Sequence, residues 1–200
     1  MTTEPRIAPL SEPLPLAVAA AMAKLIPPGM PAPKLFLTTA RNEGLFTHMV
    51  NTGMIGPTGL MDRRSLPPRL RELVILRTCV ANGCDYEFNL HVQTISERMG
   101  LSKAEIDDVR RAEPSADSWT AAEIAVMALV DGLVARREVT DDGFAAARRH
   151  HDEATLIEVV HLIGLYSGVA MMVALARPQF DRYRPGPVQL ASPSAGATAR

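Results

Sequence analysis

Residues 72–91 read ELVILRTCVANGCDYEFNLH, and the break at Asn82 and Gly83 divides this stretch into two helices facing each other across a turn. A helix opening at Cys84 carries Glu87 three residues later and His91 seven residues later, so thiol, carboxyl and imidazole share one stripe. The preceding segment, 67–81, begins with Pro67 and Pro68, which suit a first helical turn, and is then apolar on nearly every side. Glu72 falls on its Ile75–Leu76–Cys79 stripe, so this carboxyl is expected inside the protein. Burial would raise its pKa, the usual preparation of a general acid or base.

Each residue also has an ordinary reading. Cys84 could be a small buried apolar side chain, and Glu87 could reach back to the backbone N–H of residue 84 as a capping-box glutamate does. His91 alone could be a satisfied core histidine. Glu72 resists such a reading, because a carboxylate in an apolar stripe needs a partner.

The pattern E-x11-C-x2-E-x3-H resembles the carboxymuconolactone decarboxylase family, which includes the alkylhydroperoxidase D-like peroxidases. The segment LPPRLRELVILRTCVANGCDYEFNLHVQTISERMGLSKAEIDDV is similar to that family's helical hairpin and the helix start after it, and residues 35–180 can be laid on the family. The resemblance implies an all-α, AhpD-like bundle and a homo-oligomer, trimeric or hexameric. In the peroxidase branch the proton-relay glutamate matches Glu72, the first cysteine Cys84 and the relay histidine His91. Glu87 stands where those peroxidases have the peroxide-attacking cysteine, so the C-x-x-C pair is missing. Cys79 is no ready substitute if both cysteines share one helix, where about 7.5 Å along the axis would part them. The decarboxylase branch works, by resemblance, without a redox cysteine and through acid/base groups such as glutamate and histidine, which leaves Cys84 without a role.

Nine helices are expected, at 15–25, 34–41, 44–54, 67–81, 85–99, 103–111, 121–137, 142–150 and 154–176. Ser102 with Glu105 and Thr120 with Glu123 each fit a capping box. No alternating strand run, fixed repeat, phosphate loop or G-x-S-x-G elbow is present. The organisation is a proline-rich entry segment (1–33), a helical domain (34–183) and a disordered tail (184–200).

Composition narrows the function classes. With 47% hydrophobic and 4% aromatic residues, the core is one of aliphatic helices. A balance of 21 basic and 22 acidic residues gives no pull toward nucleic acid or anionic membrane. Two cysteines point to a reducing compartment, hence the cytoplasm. The apolar AVAAAMA run near the amino terminus follows prolines and Glu4 without a basic cluster, unlike a signal peptide. The run 156–176 is long enough to span a bilayer but carries Glu158 and His161, and reads as a buried core helix whose Gly164 and Gly168 permit close approach. Its single E-x-x-H is half of what a di-iron bundle needs, and His150–Glu153 reads as a solvated cap. No cofactor or metal is expected.

The catalytic candidates are Glu72, Cys84, Glu87 and His91, with Tyr86 as a pocket residue. Three functions compete. The first is proton-transfer chemistry on a small organic acid or lactone, such as decarboxylation, isomerisation or ring opening, with a buried Glu72 set against a more exposed Glu87. The second is a one-cysteine peroxidase using Cys84 and an external thiol. The third is a non-catalytic binding or assembly module, which requires Glu72 to be exposed or held by an arginine such as Arg69 or Arg77.

Overall fold

The computed structural model describes residues 4–57, 59–60 and 62–191. They form nine α-helices: α1 Leu16–Leu25, α2 Lys34–Thr39, α3 Glu43–Asn51, α4 Pro68–Ala81, α5 Asp85–Thr94, α6 Lys103–Asp108, α7 Ala121–Arg136, α8 Asp141–Arg148 and α9 Glu153–Ala176. No strand occurs among the described residues. The all-α class and the order of helices follow the periodicity of the sequence, with boundaries shifted by a few residues.

The chain forms two compact units. Among the described residues, one comprises those up to 65 together with 171–181, the other 66–170 together with 182–191. In the first, α1 packs on α3 around Val18, Met22, Phe46, Val50 and Ile55, and the Lys34 backbone N–H at the start of α2 donates to the Asp181 carboxylate at 3.2 Å.

The second unit is built around α4, which buries every residue from Leu70 to Cys79. A helix closed in on all sides must find partners for its polar groups. Arg77 forks onto Asp131 of α7 (Nε–Oδ1 2.7 Å) and donates to the carbonyls of Val109, Arg111 and Ala112. Arg69 joins two capping-box glutamates, Glu105 at 2.6 Å and Glu123 at 2.7 Å, and lies over the Trp119 ring. Both capping boxes form as the sequence indicates.

One expected helix breaks. In place of a helix through residue 99, α5 stops at Thr94, Ile95 leaves helical geometry (φ −128°, ψ −44°), and a 3-10 turn runs over Ser96–Met99 to Gly100 at φ +94°. The β-branched pair Thr94 and Ile95 weakens the helix at this point, and the break turns Ser96 inward.

The portion of α9 in the second unit buries Leu156, Val159, Leu162, Ile163 and Tyr166 on one face and exposes Ile157 and Val160 on the other. The expected core helix is therefore buried on one side only. By length and composition alone it could cross a membrane. Of the segment expected to be a disordered tail, residues 184–191 run irregularly along α5. Backbone N–H groups of Tyr183, Gln189 and Ala191 donate to Gln93, Asn89 and Asp85, three side chains one helical turn apart. Residues 192–200 lie outside the described residues.

Candidate active site

The turn between α4 and α5 sets the site. Gly83 takes φ +62°, its N–H bonds to Val80 O (3.0 Å), and the Cys84 N–H bonds to Cys79 O (2.8 Å). This pair of bonds is a Schellman motif, which needs a residue able to adopt the left-handed region. It closes α4 and hands the chain directly to Cys84 as the N-cap of α5. Because the Cys79 carbonyl already takes the Cys84 N–H, a Glu87 capping box has no donor left to satisfy. The Glu87 side chain turns instead toward His91, and the capping-box reading of Glu87 is corrected. The premise of one helix carrying both cysteines also fails, since the turn separates them. Both are free and buried.

Glu72 is fully buried, and Glu87, His91 and Cys84 are at most 5% exposed. Glu72 and His91 meet across the hairpin: Nδ1 of the ring lies 3.0 Å from Oε1 and 3.1 Å from Oε2. Ser96 Oγ donates to the same Oε1 at 2.7 Å. On the far side of the ring, Nε2 is 3.4 Å from Glu87 Oε1 and 3.4 Å from the Tyr166 hydroxyl of α9. Tyr166 also meets the ring edge-on, with centroids 5.5 Å apart. Glu87 Oε2 is buried and has no hydrogen-bond partner among the described residues.

These contacts decide the charges. Burial opposes a charged His91, but the charge and hydrogen bond of Glu72, helped by Glu87, outweigh it and push the ring up to about 10. Burial likewise opposes an ionised Glu72, yet His91, Ser96 and the charge of Arg71 hold it below the usual carboxylate range. The expectation that burial raises Glu72 is therefore corrected, because the imidazolium next to it dominates. Glu87 is not the more exposed carboxyl expected; the two carboxyls differ in partners rather than in burial. Burial, with the charge of Glu87, pushes the Cys84 thiol up to about 12 against the favourable backbone of Glu87, and pushes Cys79 well up too. Burial also raises Tyr166.

Nδ1 is thus committed to Glu72, whereas Nε2 keeps its proton in two long, weak contacts. The arrangement can deliver a proton from Nε2 and receive one at Glu87 Oε2. Arg69 and Arg77, the cations that could have held Glu72, are engaged with Glu105, Glu123 and Asp131.

The structure brings together Glu72, Glu87 and His91, with Cys84 close enough to feel the charge of Glu87. Tyr86 is buried on α5, and the hydroxyl of Tyr166 on α9 reaches the His91 ring. Tyr166 had one legible signal, a phenol in an otherwise apolar run, where its hydroxyl needs a partner. Ser96 had none, since its role depends on a helix break. A cavity of about 490 Å³ lies between α7, α8 and α9, bordered by Leu129, Leu133, Phe144, Leu156, Ile157 and Val160, and no residue of the cluster lines it. Glu158 is half-buried and His161 exposed on α9.

Two solved structures share this fold. The apo crystal structure of the debrominase Bmp8 superposes with a TM-score of 0.72 at 17% identity, covering 88% of this chain and 92% of that one. A cysteine-to-alanine variant of the same debrominase, in complex with 2,3,4-tribromopyrrole, superposes with a TM-score of 0.69 at 19% identity, covering 90% and 93%. The chain matches no curated protein sequence. The profile of the carboxymuconolactone decarboxylase family matches residues 57–132, the stretch holding the hairpin, Ser96 and both capping boxes. Over that stretch, which holds Glu72, Cys84, Glu87, His91 and Ser96 but not Tyr166, the chain is similar to the carboxymuconolactone decarboxylase family.

Proposed function

We propose that this protein is an enzyme that moves protons on a small organic acid or lactone, with His91 as acid, Glu87 as base and Glu72 as the group that orients the ring. The observation carrying this reading is the buried Glu72–His91 pair at 3.0 Å, with Ser96 fixing the carboxylate at 2.7 Å. A carboxylate on Nδ1 sets the orientation of an imidazole and stabilises its charged form, which leaves Nε2 to work.

In the resting state His91 is charged, so it acts first by donating. Glu87 Oε2 takes a proton from an acidic C–H or O–H, and Nε2–H delivers one to the carbon or oxygen where negative charge develops. The result is an isomerisation; where a ring C–O bond breaks, the same delivery to the leaving oxygen opens a lactone. Afterwards Glu87 is protonated and His91 neutral, and the 3.4 Å contact between them lets the proton return. The closed surroundings strengthen both interactions, and a substrate enters through local opening of the helices around the cluster.

The alternatives fare less well. A one-cysteine peroxidase needs a thiolate at Cys84, whose thiol is pushed up to about 12. The likeness to the debrominase carries the fold and assigns no reaction to this chain. The non-catalytic reading needs Glu72 exposed or arginine-held; Glu72 is buried and hydrogen-bonded to His91 and Ser96, with the charge of Arg71 as a lesser contribution. A cytoplasmic homo-oligomer remains part of the proposal, on composition and family resemblance.

The test is a panel of small lactones and organic acids incubated in D2O with wild type and with His91→Ala, read by mass spectrometry. Wild type should exchange deuterium into, or convert, at least one compound, and His91→Ala should lose about a hundredfold or more of that rate. Equal rates in the two proteins would refute the assignment.

A further inference from the structure

Cys79 and Cys84 are two nucleophiles of the hairpin that the proton-transfer scheme leaves unused, and the turn fixes where they stand. The Cys84 N–H bonds to Cys79 O at 2.8 Å and the Gly83 N–H to Val80 O at 3.0 Å. In a Schellman motif closed by these two bonds, the cysteines hold the outer pair of positions, whose side chains commonly meet. The outer bond also bounds their separation. With standard backbone bond lengths, a 2.8 Å contact from Cys84 N to Cys79 O keeps the two Cα atoms within about 6.7 Å of each other. A disulfide needs a Cα separation of about 4.4–6.8 Å. The turn therefore brings within bonding range two residues that a continuous helix would part by about 7.5 Å along its axis.

Both residues are buried and both sulfurs are free. Burial raises the two thiols; the charge of Glu87 adds to it in each, and that of Cys84 adds to it in Cys79, the electrostatics of neighbouring sulfurs.

We propose that Cys79 and Cys84 are a dithiol–disulfide pair, whose bond closes across the Asn82–Gly83 turn and ties the end of α4 to the start of α5. The pair spans two helices, unlike a C-x-x-C pair within one, and it is independent of the proton transfer assigned to Glu72, Glu87 and His91. The oxidant is a small-molecule disulfide such as oxidised glutathione. The Cys84 thiolate, at the amino end of α5 where the helix dipole favours negative charge, attacks that disulfide, breaks its S–S bond and releases one small thiol. The Cys79 thiolate then attacks the Cys84 sulfur of the mixed disulfide, which forms the Cys79–Cys84 bond and releases the second small thiol. Two electrons pass to the small disulfide, and the two cysteine protons end on the released thiols. Because both sulfurs are buried and protonated, exchange proceeds through local opening and is slow. The equilibrium position reports the geometry.

The test equilibrates the full-length protein at pH 8 in glutathione buffers of graded ratio, folded and in concentrated urea, then quenches with acid, alkylates in denaturant and digests with trypsin. Residues 78–98 follow Arg77 and contain no lysine or arginine before Arg98, so one peptide carries both cysteines. Its mass separates the doubly alkylated dithiol from the internal disulfide. At the same glutathione ratio, the proportion of internal disulfide to dithiol should be about tenfold or more higher in the folded protein than in urea, because the turn holds the sulfurs together. A folded-state proportion no higher than that in urea, glutathione left on either cysteine in place of the internal bond, or disulfide-linked dimers as the main product would overturn the proposal. The measurement uses the unaltered chain, so no outcome depends on whether a variant folds.

Discussion

Replacing Glu72 by Gln should change how stability depends on pH. The ring of His91 rises from 6.5 to about 10 on folding, a folded-state preference for the charged form of roughly 5 kcal/mol. A raised histidine contributes stability that is fully present below pH 6.5 and is lost as pH climbs toward 10, because the native state binds a proton that the unfolded chain has released. Unfolding free energy should therefore fall by up to about 1.4 kcal/mol per pH unit across that window. Glu72 adds the opposite limb: its lowered pKa contributes stability that is lost as pH falls below about 4.5. Wild type should thus be most stable between about pH 5 and 6.5. In Glu72→Gln the imidazolium keeps its burial but loses its main counter-charge, so at pH 6 the protein should lose about 3–5 kcal/mol, and His91 should titrate about two pH units lower or more. Urea unfolding at half-unit steps from pH 4 to 10, with a histidine ring titration by NMR, reads both quantities. A wild-type His91 titrating near 6.5, or an unchanged slope in Glu72→Gln, would refute the ion pair as the organising interaction.

Three further outcomes follow from the same geometry. Cys79 and Cys84 should resist iodoacetamide at pH 7.5 until denaturant is added, and Cys84→Ser should keep turnover within about threefold; rapid labelling of the folded protein would contradict the protonated sulfurs. Tyr166→Phe removes only the 3.4 Å hydroxyl contact and keeps the edge-on ring, so it should cost less than about 1 kcal/mol of stability and lower the deuterium-exchange rate by about tenfold, with a larger melting loss pointing to a packing role. Deleting residues 183–200 strips the backbone donors from Gln93, Asn89 and Asp85 and should destabilise by about 2–4 kcal/mol, measured by thermal unfolding; an unchanged melting temperature would show that these bonds contribute nothing.

The helices, their order, both capping boxes and the turn at Asn82–Gly83 were legible in local pattern, because each depends on residues within a few positions of one another. The same pattern also placed Glu72 inside, since a carboxyl on an all-round apolar helix has nowhere else to go. Local pattern could not reveal who meets that carboxyl. His91 lies 19 residues away, and only the folded hairpin brings its ring against Glu72 and reverses the pKa expected from burial. Ser96 reaches the same oxygen because α5 breaks at Ile95, and Tyr166 reaches the ring from 75 residues downstream. Glu87 shows the limit most directly: its spacing from Cys84 fits a helix cap, but the Cys79 carbonyl takes the backbone donor first. Competition of that kind between distant and local partners is resolved by packing, which is why the charge state of the site became visible only in three dimensions.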